Sequence, residues 1–513
     1  MGLATLLSRI LGMAREMVYA RFMGDGMVAS AFFYAFQVPN LFRRLLGEGA
    51  LTAAFIPLFK EREMQEGEKA MWEVANATLS ALITACSLVV ALLILVSTAM
   101  LHGLSLSLET MLFLKLMRWM SPYVLMVCIA AILMGTLNAR GYFFIPALGA
   151  TTMNLIMIAS VFWIAPGFGT ELIDQINGLA VGILVAGMAQ TCFQCPLLFK
   201  EGFRFRWIHP WKNETVRRLI QRILPGIVGV AAFQINILLT NAIAFSHGDH
   251  IVASFNYATR LMELPQGVFG VSLATFMLPM LSGLAAEKKY GAFQAGLRQG
   301  MQYLIFANWI ATTLTMVLAE PIVRLLFEGE RFDSSATQRA ALALQCLIPG
   351  LVSFSLVNIL ARAFFALGEV TLTMRISVLS LTCNLVFAFF LIPTFKQAGM
   401  GLSNALSSLV NLGFLWYAMR RKFPNMQVKE MIRPTFWIMG AGIFAALIAW
   451  MASRSCDTYL SLESKFHQTL MVFIPLCLGL ATYGGLTYVL KIEACLDILK
   501  LFRQKLDKTG SKI

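Results

Sequence analysis

The residues in this sequence with the means to do chemistry are arginines that stand in apolar surroundings: Arg9 and Arg15, Arg43 and Arg44 beside Glu48, and Arg260 beside Glu263. An ionisable side chain within a membrane helix costs several kcal/mol unless it faces water, a partner or a ligand, so each is a candidate site residue. Arg9, Gly12 and Arg15 are spaced i, i+3, i+6. On a helix this spreads the two guanidiniums over about 120° and roughly 9 Å of axis, with glycine leaving room between. Arginine stays charged and offers a planar fork that grips phosphate with two parallel hydrogen bonds, so several together describe a cavity for a large anion such as phosphate or pyrophosphate. Simpler readings remain open. Arg44 and Glu48 are i, i+4 and Arg260 and Glu263 are i, i+3, both spacings for a local salt bridge. Arg9 and Arg15 could also snorkel to the interface, and Lys115 and Arg118 read as interface anchors. Catalytic machinery is not evident: no Asp occupies a span centre, the five histidines are scattered, and Cys192 and Cys195 form a lone CxxC in an apolar stretch beside Pro196. The nine cysteines suit packing, and neither a metal nor a cofactor is expected.

The elements that must position these arginines follow from composition. Of 513 residues, 58% are hydrophobic and 13% charged, and the mean hydropathy is +0.72. Soluble domains carry about 25% charged residues, so a soluble enzyme is excluded. A spanning helix needs roughly 20 apolar residues, about 35 with its loop, which gives room for on the order of 14 helices and little else. Helix-length apolar runs exclude a barrel of short alternating strands. The runs fall near 4–20, 27–58, 75–101, 112–137, 143–165, 176–198, 223–246, 251–284, 301–326, 340–366, 372–393, 398–419, 434–453 and 468–490. With a cytoplasmic N-terminus, about 27 of the 41 Lys and Arg fall in loops on the inner side and in the tail, against about 7 outside. The densest clusters are Lys200–Arg222, Arg420–Arg433 and the tail from Lys491. Both termini are therefore expected inside. The net charge of +14 reads as an orientation device and an attraction to anionic membrane lipids, not to nucleic acid. Arg9 and Arg15 stand where a cleavable signal would need an uncharged core, so this stretch is expected to remain as the first helix.

A weak internal repeat sets the organisation. Gly24-Asp25 and Val28-Ala29-Ser30 recur 224 residues later as Gly248-Asp249 and Val252-Ala253-Ser254, Tyr34-Ala35 matches Tyr257-Ala258, and Pro57 matches Pro279. Six spans per unit means two parallel repeats, an arrangement that places a substrate site between halves near the bilayer midplane. The expected fold is an all-α integral membrane protein of about 14 transmembrane helices. It comprises an N-terminal six-helix half (1–222), a C-terminal six-helix half (223–422), two further helices (423–490) and a basic cytoplasmic tail (491–513). Pro39 and Pro265, with Gly47, Gly49, Gly267 and Gly270 nearby, mark places where the second and eighth spans bend or open.

Ser8-Arg9-Ile10-Leu11-Gly12 with Ala14-Arg15-Glu16, then Ala31-Phe32-Phe33, Pro39-Asn40-Leu41 and Arg43-Arg44 through Glu48-Gly49-Ala50, resemble the MurJ (MviN) lipid II flippases of bacteria. So do Asn138, Pro146-Ala147, Asn154, and Tyr257-Ala258-Thr259-Arg260-Leu261 with Pro265, Gly267, Gly270 and Val271. The resemblance covers essentially the whole chain. It implies the multidrug/oligosaccharidyl-lipid/polysaccharide exporter superfamily, a central cavity lined by Arg15, Arg43 or Arg44, and Arg260 for the pyrophosphate, Arg9 below them, and helices 13 and 14 as a groove for the polyprenyl tail. The implied function is movement of lipid II, the undecaprenyl-pyrophosphoryl disaccharide-pentapeptide, across the bacterial cytoplasmic (inner) membrane by alternating access, as a monomer. Three departures stand out. The first span begins only a few residues before Arg9; Ser30 and Thr259 occupy places where members often carry Asp; and Asn241, Asn384 and Ala388 stand where some members carry the carboxylates of a sodium-like site. Oxygen ligands without a carboxylate bind a hard cation weakly, so a drive by membrane potential is expected instead of sodium. Flipping of another polyprenyl-linked saccharide, or drug export, is the alternative within transport. A polyprenyl-phosphate-using membrane enzyme would need a carboxylate or metal constellation that the sequence does not offer.

Overall fold

A computed structural model describes residues 2–47, 50–210, 214–424, 427, 429–460, 464–497 and 499–500. No strand occurs among them. The chain falls into two compact units, Met1–Ala253 with Gly329–Phe332, and Ser254–Glu328 with Asp333–Ile513.

The first unit holds α1 (Gly2–Met23), α2 (Met27–Phe42), α3 (Ala50–Glu66), α4 (Glu68–Gly103), α5 (Leu108–Met120), α6 (Tyr123–Ala139), α7 (Phe144–Trp163), α8 (Leu172–Lys200) and α9 (Glu214–His247). Small residues set its closest packing. A Cβ added to Gly182 of α8 would lie 2.3 Å from Ser160 of α7, and one on Gly178 would lie 2.6 Å from the Ala165 backbone. This Gly-xxx-Gly face brings the two backbones together where lipid provides no hydrophobic drive for association. Around α1 and α2 the core is aromatic, with Tyr19 edge-on to Phe32 at 5.7 Å.

α10 (Ile251–Pro265) begins in the last residues of the first unit and continues in the second, which also holds α11 (Ser272–Ala286), α12 (Tyr290–Val317), α13 (Ala319–Phe327), α14 (Ser334–Leu347), α15 (Gly350–Ala366), α16 (Val370–Lys422), α17 (Lys429–Tyr459) and α18 (Lys465–Val489). The core of the second unit joins Phe293, Leu297, Leu304, Leu360 and Phe364 to Ile438, Ala445 and Tyr483. The 53-residue α16 would be about 80 Å long if straight, far more than a bilayer needs. It is two helices: Lys396 takes φ +51°, and Ser380 Oγ donates to the Ser407 carbonyl at 2.8 Å, which only an antiparallel return allows. The return is tight, since a Cβ on Gly399 would sit 2.2 Å from the Leu391 carbonyl oxygen.

Among the described residues eight helices are long and apolar enough to cross a membrane, eleven if each of three bent pairs is one span. Splitting α16 adds one. The charge-bearing α1 and the broken α2–α3 segment fail a purely apolar test because they carry the arginines at issue. The fold is therefore consistent with the expected fourteen. Proline and glycine act as the sequence suggests in the second and eighth spans: α2 passes through a π-helical turn at Arg43–Gly47, and α10 through another at Gln266–Val271. The wider turn frees backbone carbonyls from the regular ladder, a deformation common where helices serve function.

Candidate functional site

Arg15 is the most firmly held of the candidates. It lies on α1 against α7, its side chain 11% exposed, and it pairs with Glu16, whose side chain is 3% exposed. Its Nη1 donates to Asn154 Oδ1 at 3.0 Å and lies 3.7 Å from the Met157 sulfur; the guanidinium carbon is 6.0 Å from the Tyr19 ring centre. Asn154 Nδ2 in turn donates to the Ser8 carbonyl at 3.3 Å. Gly12 faces this amide, and a Cβ there would lie 3.8 Å from its nitrogen. One side chain from α7 thus fixes both the α1 backbone and the arginine fork. Arg15 Nε is buried with no hydrogen-bond partner, so the fork retains a donor after both its neighbours are served.

The other candidates differ. Arg9 is exposed, and no described contact joins it to Arg15. Arg43 and Arg44 are half-buried on the π-helical turn, where the bulge displaces them from regular α-helical register. Glu48, the expected partner of Arg44, lies outside the described residues. In the second unit, Arg260 and Glu263 form the local bridge that their spacing allows, at 2.9 Å and with side chains 37% and 46% exposed. Residue spacing did not single out Glu16 as the counter-ion of Arg15, or Asn154 as its clamp. Glu16 is adjacent in sequence, where helix geometry does not favour pairing, and Asn154 is 139 positions away.

At Asn241, Asn384 and Ala388 the donor set is neutral. Asn384 donates to Ser407 Oγ at 3.3 Å and Ala388 is fully buried. These groups do not fit a hard cation.

A family model described as "Lipid II flippase MurJ" matches residues 19–471. The chain belongs to the MurJ family. A MurJ relative from Bdellovibrio bacteriovorus is 29% identical over 504 residues, covering 96% of this chain and 94% of its own length. Among solved structures, one titled "Lipid II flippase MurJ, inward closed conformation" superposes with a TM-score of 0.77 at 20% identity, over 95% of this chain and 99% of that one. A multidrug resistance MATE family transporter of the MOP superfamily gives 0.69 at 15% identity, over 81% and 94% of the two chains. At such identities the structures speak to fold alone, and they place MurJ and MATE architectures together. The MurJ match is what separates a lipid flippase and transporter from a membrane enzyme.

Proposed function

We propose that this multi-pass membrane protein, a lipid II flippase, holds the pyrophosphate of its substrate on Arg15, Arg43 or Arg44, and Arg260 while the disaccharide-pentapeptide crosses by alternating access. The observation that carries the reading is the buried Arg15 fork: a guanidinium 11% exposed in an apolar helix, clamped by Asn154 and balanced by Glu16. A pyrophosphate exchanging with Glu16 for this fork meets a pre-oriented donor and keeps the charge of Arg15 compensated. Arg9, exposed on the same helix, serves as the entry contact.

In the same reading, both termini and the Lys200–Arg222 loop are cytoplasmic in the inner membrane of the cell, because the basic excess lies on that side. Residues 1–222 and 223–422 act as the two halves and the chain functions as a monomer. Residues 423–490 hold the polyprenyl tail, a role supported by the exposed apolar row Phe436, Ile443, Leu447 and Met451 along α17. Anionic phospholipids surround the basic loops. Liposomes carrying the full chain and labelled lipid II, with a probe that reads one leaflet, test this. Transfer by the wild type that Arg15→Ala abolishes without loss of membrane-inserted protein is the expected result. Undiminished transfer by Arg15→Ala would remove Arg15 from the site.

A further inference from the structure

Between α8 and α9 the chain does something unusual for a membrane protein: it runs extended along a helix. Gly202, at φ +90°, ends α8 in a left-handed turn, with the Phe203 amide bonded back to the Leu198 carbonyl at 3.0 Å. Residues 203–209 then have no helical structure. Their backbone is tied instead to side chains of α4. Asn76 Oδ1 accepts from the Arg206 amide at 2.9 Å, Asn76 Nδ2 donates to the Arg204 carbonyl at 3.1 Å, and Ser80 Oγ accepts from the Ile208 amide at 3.1 Å. Alternate residues thus present their polar backbone to one helix, as in a strand. Phe203 anchors the start on Trp72, at 5.5 Å between rings.

The depth of this strap decides its surroundings. Asn76 and Ser80 lie about 12 and 18 Å along α4 from Glu68, past its last charged residue before His102 and at the entry to the apolar stretch. Every residue from Val74 to Ser80 is at most 4% exposed; α3, α6 and α9 pack on α4, and the strap takes a remaining face. Non-helical backbone at this level is tolerated only with its polar groups satisfied by protein, which Asn76 and Ser80 provide. The outer side of the strap is uncovered: Phe205 is 48% and Trp207 53% exposed. Alternating with them along the strap stand the exposed Arg204 and Arg206. Arg204 lies over the Phe199 ring at 5.8 Å, and neither arginine has an acidic partner among the described residues. Aromatic rings interleaved with guanidiniums at the edge of an apolar helix match the chemistry of a phospholipid interface, rings at headgroup level and cations on phosphate.

We infer that residues 203–209 form a lipid-binding strap, with Phe205 and Trp207 seated at the top of the acyl chains and Arg204 and Arg206 on the headgroups of anionic phospholipid. The strap does not depend on the substrate site, so its test is separate from transport. The full chain is reconstituted in bilayers of phosphatidylcholine and phosphatidylglycerol, and the emission of Trp207 is taken as the difference between wild type and Trp207→Phe. Bromines high on the acyl chains should quench that emission about twofold, and aqueous iodide should leave it nearly unchanged. Brominated phosphatidylglycerol should compete against phosphatidylcholine at Trp207 by about fivefold or more, a preference that Arg204→Gln with Arg206→Gln removes. Trp207→Phe keeps an aromatic ring on an exposed site and leaves the fold intact. Quenching by iodide instead of by lipid would mean that the strap faces water and awaits a soluble partner, and would overturn the seating. Lipid quenching with equal preference for both headgroups would overturn the anionic assignment.

Discussion

Arg15 and Glu16 form the buried charge pair in α1, and their consequences for stability and for transport separate cleanly. Removing one partner leaves a buried charge less compensated, so Glu16→Gln should destabilise by roughly 3 kcal/mol, whereas Arg15→Gln with Glu16→Gln should recover most of that loss. Thermal unfolding of the full chain in detergent reads both. Transport should behave differently. Arg15→Lys keeps the charge but loses the fork, so it should retain part of the activity that Arg15→Ala loses by tenfold or more, and the stabilised double variant should remain inactive. For Arg260 the competing account is the local bridge to Glu263 at 2.9 Å. If that bridge were its only role, Arg260→Gln with Glu263→Gln would transport normally; a substrate role predicts an inactive double variant with normal abundance. In the first unit, Arg140 binds Glu63 at 2.7 Å and Glu201 at 3.0 Å. Hydrogen bonds from Tyr142 and then Arg140 hold the Glu201 carboxyl below the usual range, and Lys60 and then Arg140 do so for Glu63. Both values are depressed, so the stabilisation is fully present above the unfolded carboxylate value of about 4.3 and is lost as pH falls through the lower folded values. Arg140→Gln should therefore lower the Tm at neutral pH, and by progressively less as the pH falls below the ordinary carboxylate range; a loss that does not change with pH would mean the cluster contributes through packing.

At the scale of elements, the helices are legible in the sequence, but the manner of their meeting is not. Apolar runs near 4–20 and 143–165 predict α1 and α7, yet nothing in their periodicity says that Asn154 reaches Ser8 and Arg15. Pro39 and Pro265 announce breaks in the second and eighth spans, while the form of the break, a π-helical turn in each, depends on what packs beside it. Glycines show the same division. Gly182 is one of 38, and only the 2.3 Å approach of Ser160 to its added Cβ shows that Gly182→Leu would force α7 and α8 apart. That substitution should cost roughly 3 kcal/mol and lower the yield of folded protein on size exclusion, with Gly413→Leu, where nothing lies within 4 Å, as the tolerated control.

For the whole molecule, orientation and drive are the predictions that remain. An impermeant thiol reagent applied from outside should label a cysteine placed at His247 and miss one at Lys212, a position outside the described residues; the reverse pattern would invert the topology. Transfer should persist without sodium and follow an imposed membrane potential, which acts at about 2.3 kcal/mol per charge per 100 mV, and strict sodium dependence in sealed vesicles would refute that drive. Composition, the positive charges of the loops and the motifs from Ser8 to Ala50 by themselves determined an all-α membrane transporter of this family. Those features are local, since a bilayer demands about 20 apolar residues per span whatever its neighbours are. The pairing of Arg15 with Glu16, the clamp by Asn154 and the strap on α4 were decided only by tertiary structure. Each joins groups whose separation along the chain carries no periodic signal, and each exists because a buried charge or an extended backbone in an apolar surrounding must find its partner wherever the packed helices supply one.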